Sequence, residues 1–343
     1  MIFLFIFLLS FSYSILLENN IDYIVQDSFG FILYLIFPIL YLYIFKNNLF
    51  YFLKTSILFL GFLLAIIHIL VFILFNTLIG DLTYDSLIFT NNFLESYNLS
   101  WQLGASDGSL RVNTKSGHYF LLVLAILCID YLESNKKLII FGMGLILLAM
   151  ILDGHRALVV SSMAIILSFI FVLFINIQKH SSTLLIFVTA FFMAIILTFS
   201  FFIDKDKIMQ KLEFKGESTE LRIEQFNSLV NEIDSAPILG NGFGSYATVI
   251  RNDERPFMYE LDFFAVIMKL GIPLSILYFL SYLHIVISPF YRHRTSSLLL
   301  VSSCGISYFL YMMANGGFAM SPITAFFHIT FFLIVIFYTK ERV

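Results

Sequence analysis

Apolar residues run through this chain in long blocks, separated by short polar gaps. Blocks of about 20 apolar residues, enough to cross a bilayer as a helix, recur along it. The breaks mark out about ten spans, at 1–17, 29–45, 55–79, 117–132, 138–153, 157–177, 183–203, 261–287, 297–317 and 322–339. The blocks are continuous rather than alternating, which excludes the strands of an outer-membrane barrel. The expected fold is an all-α polytopic membrane protein forming a single transmembrane domain over 1–343. One gap differs from the rest. Residues 204–258 form a long charged stretch between the seventh and eighth spans, with room for a module outside the bilayer.

Composition supports this picture. Of 343 residues, 59% are hydrophobic and 13% charged, against roughly 45–50% and 25% in soluble domains. There is no basic tail or patch, so nucleic acid is not an expected partner. Met1 to Leu17 has no positively charged leading segment and no small-residue cleavage site, so it reads as a first span rather than a cleaved signal. Cys128 and Cys304 fall inside spans without metal-ligand spacing and read as packing residues.

Charge sets the orientation. Lys46, Lys54, Lys136, Lys137, Lys179, Arg292, Arg294, Lys340 and Arg342 occupy one set of short connections, while Arg111, Lys115 and Arg156 occupy the other. Lys and Arg concentrate on the cytoplasmic side. Both termini are therefore expected inside. Segment 18–28, loop 80–116, the turn at Arg156 and loop 204–258 are expected outside.

Within the long loop, Gly216 to Asp234 reads as a helix, with Ser218 or Thr219 as cap and Glu220 in the first turn. Phe226, Leu229, Val230 and Ile233 make an apolar stripe at helical spacing. Arg222 joins that stripe, since 222, 226, 229 and 233 lie within about 40° of one another at 100° per residue. Such an arginine either snorkels at the stripe's edge beside Glu217 or Glu224, or turns toward an anionic group near the membrane surface. Beyond Pro237 comes Gly240-Asn-Gly242-Phe-Gly244-Ser-Tyr246. Alternating glycines let a backbone approach phosphate closely. No strand precedes them in a βαβ unit, so a nucleotide site is not expected. The plainer reading is a turn returning the chain to the membrane.

The eighth span opens with Glu260 and Asp262 and carries Lys269 and Pro273. Ionisable residues in spans are costly and mark function. Asp262 and Lys269, seven apart, share a face and can partly neutralise each other. Glu260 lies about 160° from Asp262 and has no obvious local partner. Pro273 frees the carbonyl of Lys269 and predicts a kink. Arg156 sits at the outer end of the sixth span, with Asp153 as a local partner. His118 and His155 lie outside, with no second ligand at zinc spacing and no paired-aspartate motif, so no metal is expected. His68, His284 and His328 read as packed or interfacial.

Four stretches resemble the O-antigen polymerase and O-antigen ligase superfamily of bacterial envelope glycosyltransferases. They are Asp153-Gly-His-Arg156-Ala, Glu220-Leu-Arg222, Pro237-Ile-Leu-Gly240-Asn-Gly242-Phe-Gly244-Ser-Tyr246, and Glu260-Leu-Asp262 running to Lys269-Leu-Gly271. Ligases of this superfamily place a histidine where Glu260 stands, eleven residues before the glycine, and its absence favours a polymerase. The resemblance implies a GT-C-like glycosyltransferase of the inner membrane with its active site facing the periplasm. It implies transfer of a growing glycan from undecaprenyl pyrophosphate to a new lipid-linked repeat unit, with no cofactor. Partners would be the lipid-linked donor and acceptor, membrane lipid, a chain-length regulator and a flippase. In that scheme Arg156 and Arg222 stabilise the leaving diphosphate and Glu260 takes the acceptor proton. Arg111, Gly240, Gly242, Gly244, Tyr246, Asp262 and Lys269 are assigned to substrate binding. Two other readings remain: a ligase-type transferase, and a transporter of polysaccharide or lipid-linked oligosaccharide. Transporters carry internal repeats and midplane charges, whereas here the charges gather at the outer ends and no repeat is visible.

Overall fold

The computed structural model describes residues 2–78, 102–106, 109–113, 117–153, 156–175, 217–250, 255–259, 261–293, 295–315 and 322–340. In chain order the elements are α1 (Ile2–Leu16), α2 (Ile21–Lys46), α3 (Phe50–Leu78), β1 (Gln102–Ser106), β2 (Ser109–Asn113), α4 (Gly117–Ser134), α5 (Lys137–Asp153), α6 (Arg156–Ile175), α7 (Glu217–Ser235), α8 (Asp262–His293), α9 (Ser296–Asn315) and α10 (Pro322–Lys340). Among the described residues, stretches of three helices are both long and apolar enough to cross a bilayer: Ile21–Lys46, Phe50–Leu74 and Asp262–Tyr291. Nine of the expected spans fall on described helices, and the span at 183–203 lies outside the described residues. These helices are what the apolar blocks demand, because a backbone in lipid must satisfy its own hydrogen bonds.

Two departures from the sequence-based expectation have local causes. Helix α2 starts at Ile21, so most of segment 18–28 is helix rather than loop. Asn20 caps it, its side chain accepting from the amides of Asp22 at 2.9 Å and Tyr23 at 3.3 Å. Strands β1 and β2 pair antiparallel, with Gly104 opposite Arg111, so the helical fold carries one short hairpin that the spans did not mark out. Leu103 and Ala105 in the first strand, and Leu110 and Val112 in the second, alternate with polar or small residues, and Asp107-Gly108 between the strands is a pair favoured at two-residue hairpin connections, so a signal was present in the sequence.

The chain divides into two compact units, the first comprising Met1–Asn47, Phe187–Leu298 and Tyr308–Val343, and the second Asn48–Ile186 and Leu299–Ser307. In the first, α1 packs along α2, α10 packs on α2 and α8, α8 also meets α1, and α7 lies on α8. In the second, α4 is buried on every face from Tyr119 to Ile129, as an all-round apolar helix requires. Helices α3, α5 and α6 surround it. Gly61 admits that approach, since a Cβ there would stand 2.5 Å from Val123. Lys54 of α3 pairs with Asp130 of α4, and the Tyr119 hydroxyl donates to the Ile57 carbonyl at 2.7 Å. Cys128 and Cys304 are buried free thiols.

Candidate functional site

The polar chemistry of the first unit gathers where the glycine segment meets α8. Helix α8 breaks at Gly271, whose φ of 73° and ψ of 165° suit glycine alone. In an unbroken helix the Met268 carbonyl would accept from Ile272 and the Lys269 carbonyl from residue 273. Proline at 273 has no N–H to give. Both carbonyls are taken instead by the glycine segment. The Asn241 amide donates to Met268 at 2.7 Å and the Gly242 amide to Lys269 at 3.0 Å, while the displaced Ile272 amide donates to the Pro237 carbonyl at 2.9 Å. The kink predicted from Pro273 is therefore present, and a strip of backbone fills it. Gly240, Gly242 and Gly244 all have positive φ. A Cβ on Gly242 would come within 2.6 Å of Ser14 Oγ, and one on Gly244 within 2.8 Å of the Ile24 amide.

The hairpin of α1 and α2 completes the arrangement. Ser14 Oγ accepts from the Phe243 amide at 2.6 Å and donates to the Ser10 carbonyl at 2.6 Å. The Asn19 amide group donates to the carbonyls of Asn241 at 2.8 Å and Phe243 at 3.1 Å. Asp27 accepts from the Gly244 amide at 2.8 Å and from Lys269 Nζ at 2.8 Å. Lys269 donates again to the Phe257 carbonyl at 2.7 Å. Both charged side chains are 0% exposed. A buried pair of this kind adds little net stability, but removing one partner strands the other at a cost of about 3–5 kcal/mol.

Helix α7 rests on this assembly through Leu229 and Ile233, packed with Ala247, Tyr259, Leu261, Phe264, Ala265 and Met268. The Tyr259 hydroxyl accepts from the Ala247 amide. Burial pushes its pKa up to about 12, against a lowering by the Ala247 bond, with Glu232, Asp27 and Tyr246 nearby raising it further. It therefore stays a neutral phenol near pH 7.

These contacts give several expected site residues partners inside the protein. The amides of Gly240, Asn241, Gly242, Phe243 and Gly244 are all engaged within the protein, the first on the Ala236 carbonyl at 3.0 Å. None of these amides is left to bind phosphate, so Gly240, Gly242 and Gly244 serve close backbone packing. Lys269 forms its ion pair with Asp27, which the sequence had not marked out. Asp262, the first residue of α8, is buried at 3% exposure. Tyr246 is half exposed, its ring edge-on to Tyr23 at 6.3 Å. Arg222 is exposed on α7. The buried positions Gln225, Ser228 and Leu229 centre the covered face to one side of it, so Arg222 lies at the edge of that face. Helix α7 begins at Glu217, which puts Ser218 and Thr219 inside its first turn rather than at its cap. In the second unit, Arg111 lies in β2 and Arg156 opens α6. The side chains of both, and all of Glu260, lie outside the described residues.

Ser14, Asn19, Asp27 and Gln225 are the residues that reasoning from sequence missed. Asp27 was the most accessible of them, as a carboxylate nearly two turns into an apolar helix. Gln225 is fully buried, and among the described residues neither end of its side-chain amide has a hydrogen-bond partner. Among the described residues no group of three or more His, Cys, Asp or Glu converges to hold a metal ion.

The O-antigen ligase family matches the chain over residues 141–279, from within α5 to the part of α8 just beyond Pro273. The match supports placement in the O-antigen ligase and polymerase superfamily and spans less than half of the chain. No curated protein and no solved structure matches it.

Proposed function

We propose that this protein is a membrane glycosyltransferase that polymerises lipid-linked repeat units into O-antigen or a related surface polysaccharide. The observation that carries this reading is the O-antigen ligase match, which takes in α7, the glycine segment and the broken part of α8. In the reaction, an acceptor sugar hydroxyl forms a bond to the anomeric carbon of the donor glycan. The bond from that carbon to the diphosphate oxygen breaks, and polyprenyl diphosphate leaves. Negative charge grows on the diphosphate, and Arg222 and Arg156 are each proposed to stabilise it. The hydroxyl proton passes to a base, for which Glu260 is proposed. Loop 204–258 would carry Arg222 on the periplasmic side of the bacterial inner membrane, as the distribution of Lys and Arg suggests. A flippase would supply the lipid-linked units and a chain-length regulator would act beside the polymerase.

Polymerisation is preferred over ligation because Glu260 stands where the resembling ligases carry histidine. The description of the matched family favours ligation as the second reading. Deleting the gene and reading surface glycan on a polysaccharide gel separates the two. Loss of the ladder with one repeat retained on the lipid A core is the expected result. Loss of all attachment means ligation, and an unchanged ladder removes both. In the purified enzyme, Glu260→Gln is expected to block turnover. Full activity in that variant moves the base elsewhere.

A further inference from the structure

We infer that the N-terminal hairpin is a latch for the glycine segment, with Asp27 and Lys269 as positioning residues for the proposed transfer, on which this inference rests. The hairpin lies wholly outside the matched region, yet it supplies the partners that hold that region in shape. Ser14 takes the Phe243 amide, Asn19 takes two carbonyls, and Asp27 takes the Gly244 amide. Lys269 ties Asp27 to α8 and to the Phe257 carbonyl, three residues before Glu260. Its ammonium also stands 5.7 Å from the centre of the Phe257 ring. One ion pair thus connects α2, the glycine segment, the strand of chain leading to Glu260, and the break in α8. Both side chains are fully buried, so neither is placed to meet substrate. What they set is the placement of the chain on either side. On one side are Tyr246 and α7, bearing Arg222. On the other is the segment Tyr259–Asp262. A buried carboxylate and ammonium resist displacement more sharply than apolar packing would, because separating them leaves each an uncompensated buried charge.

The test uses the full chain in lipid nanodiscs, with a cysteine introduced at buried Ala247 as a reporter of the segment's closure. The native cysteines are buried. Asp27→Asn and Lys269→Gln each leave a buried charge without its partner, and each should speed maleimide labelling at the reporter by about tenfold or more. Each should also lower turnover by about a hundredfold or more. The double variant replaces the pair with two neutral amides: the new asparagine's oxygen can accept from the Gly244 amide, its NH2 can donate to the new glutamine's oxygen, and the glutamine's NH2 can donate to the Phe257 carbonyl. It should return labelling to within about threefold of the parent and turnover to within about tenfold. Ser14→Ala, a milder change that leaves the pair intact, should raise labelling by about threefold. Unchanged labelling in the single variants overturns the latch. Raised labelling with normal turnover overturns the positioning role. A double variant that recovers closure and stays inactive means that one of the two residues touches substrate, and also overturns it. A parent protein without transferase activity whose labelling follows the stated pattern defeats the proposed function and leaves the latch standing.

Discussion

Gly271 concentrates several requirements in one residue. It breaks α8, turns two carbonyls toward the glycine segment and sits against the Ile238 carbonyl, which a Cβ would overlap. Gly271→Ala should therefore destabilise the protein by about 2–4 kcal/mol, from the disfavoured φ together with the clash. A thermal melt in detergent within a degree of the parent would contradict this. Arg222 presents the opposite case. It is exposed at the edge of the covered face of α7, so Arg222→Ala should leave abundance and melting unchanged. If its guanidinium meets the departing diphosphate, the same substitution should abolish long-chain glycan, with Arg222→Lys recovering little because a point charge does not replace a planar fork. Normal chain length in Arg222→Ala removes it from the site. The two residues differ in legibility too. Arg222 was conspicuous in the sequence by its place on an apolar stripe. The conformation of Gly271 appears only when Pro237–Gly242 is laid against it.

At the level of elements, most helices follow from local chemistry. Asn20 caps α2 and Pro273 forecasts the break in α8. Helix α7 shows where periodicity stops being enough. Its apolar stripe ran through 222, 226, 229 and 233, but the face it buries also takes Gln225 and Ser228, because the glycine segment lies on that flank. Ser228 there meets Thr248 at 2.8 Å and accepts from the Val249 amide at 3.2 Å. The hydrogen bond from the Ala247 amide to Tyr259, in the chain leading into α8, yields a pH prediction. Below pH 10, the ordinary tyrosine value, the phenol is neutral in both folded and unfolded chains and stability is full. Between there and about 12 the unfolded chain releases its proton while the buried phenol keeps it, so stability falls as pH rises. The fall should be about 2–3 kcal/mol. Tyr259→Phe should flatten it, seen as a smaller drop in melting temperature between pH 9 and 12. An equally steep drop in that variant assigns the alkaline loss to other groups.

For the whole molecule, the prediction concerns sidedness. Single cysteines placed at Tyr246 and at Lys136 should respond differently to a membrane-impermeant maleimide applied to intact spheroplasts. The first should label from outside and the second only after lysis, following the imbalance of Lys and Arg between the two sets of connections. Labelling of residue 246 only after lysis would reverse the proposed topology and, with it, the periplasmic reaction.

The amino-acid sequence by itself determined which of the described stretches become apolar helices and where α8 breaks, and it set a long charged segment at 204–258 apart from the apolar blocks. Each of these follows from neighbours close in the chain, because a bilayer judges every backbone group and side chain locally. Only the tertiary structure decided what the polar residues are for. Lys269 finds its partner 242 positions away in Asp27, and the glycine amides that sequence alone would offer to a phosphate are already taken by Ser14, Asp27 and the opened carbonyls of α8. Such pairings leave no trace in spacing, since they depend on which helices come to lie side by side.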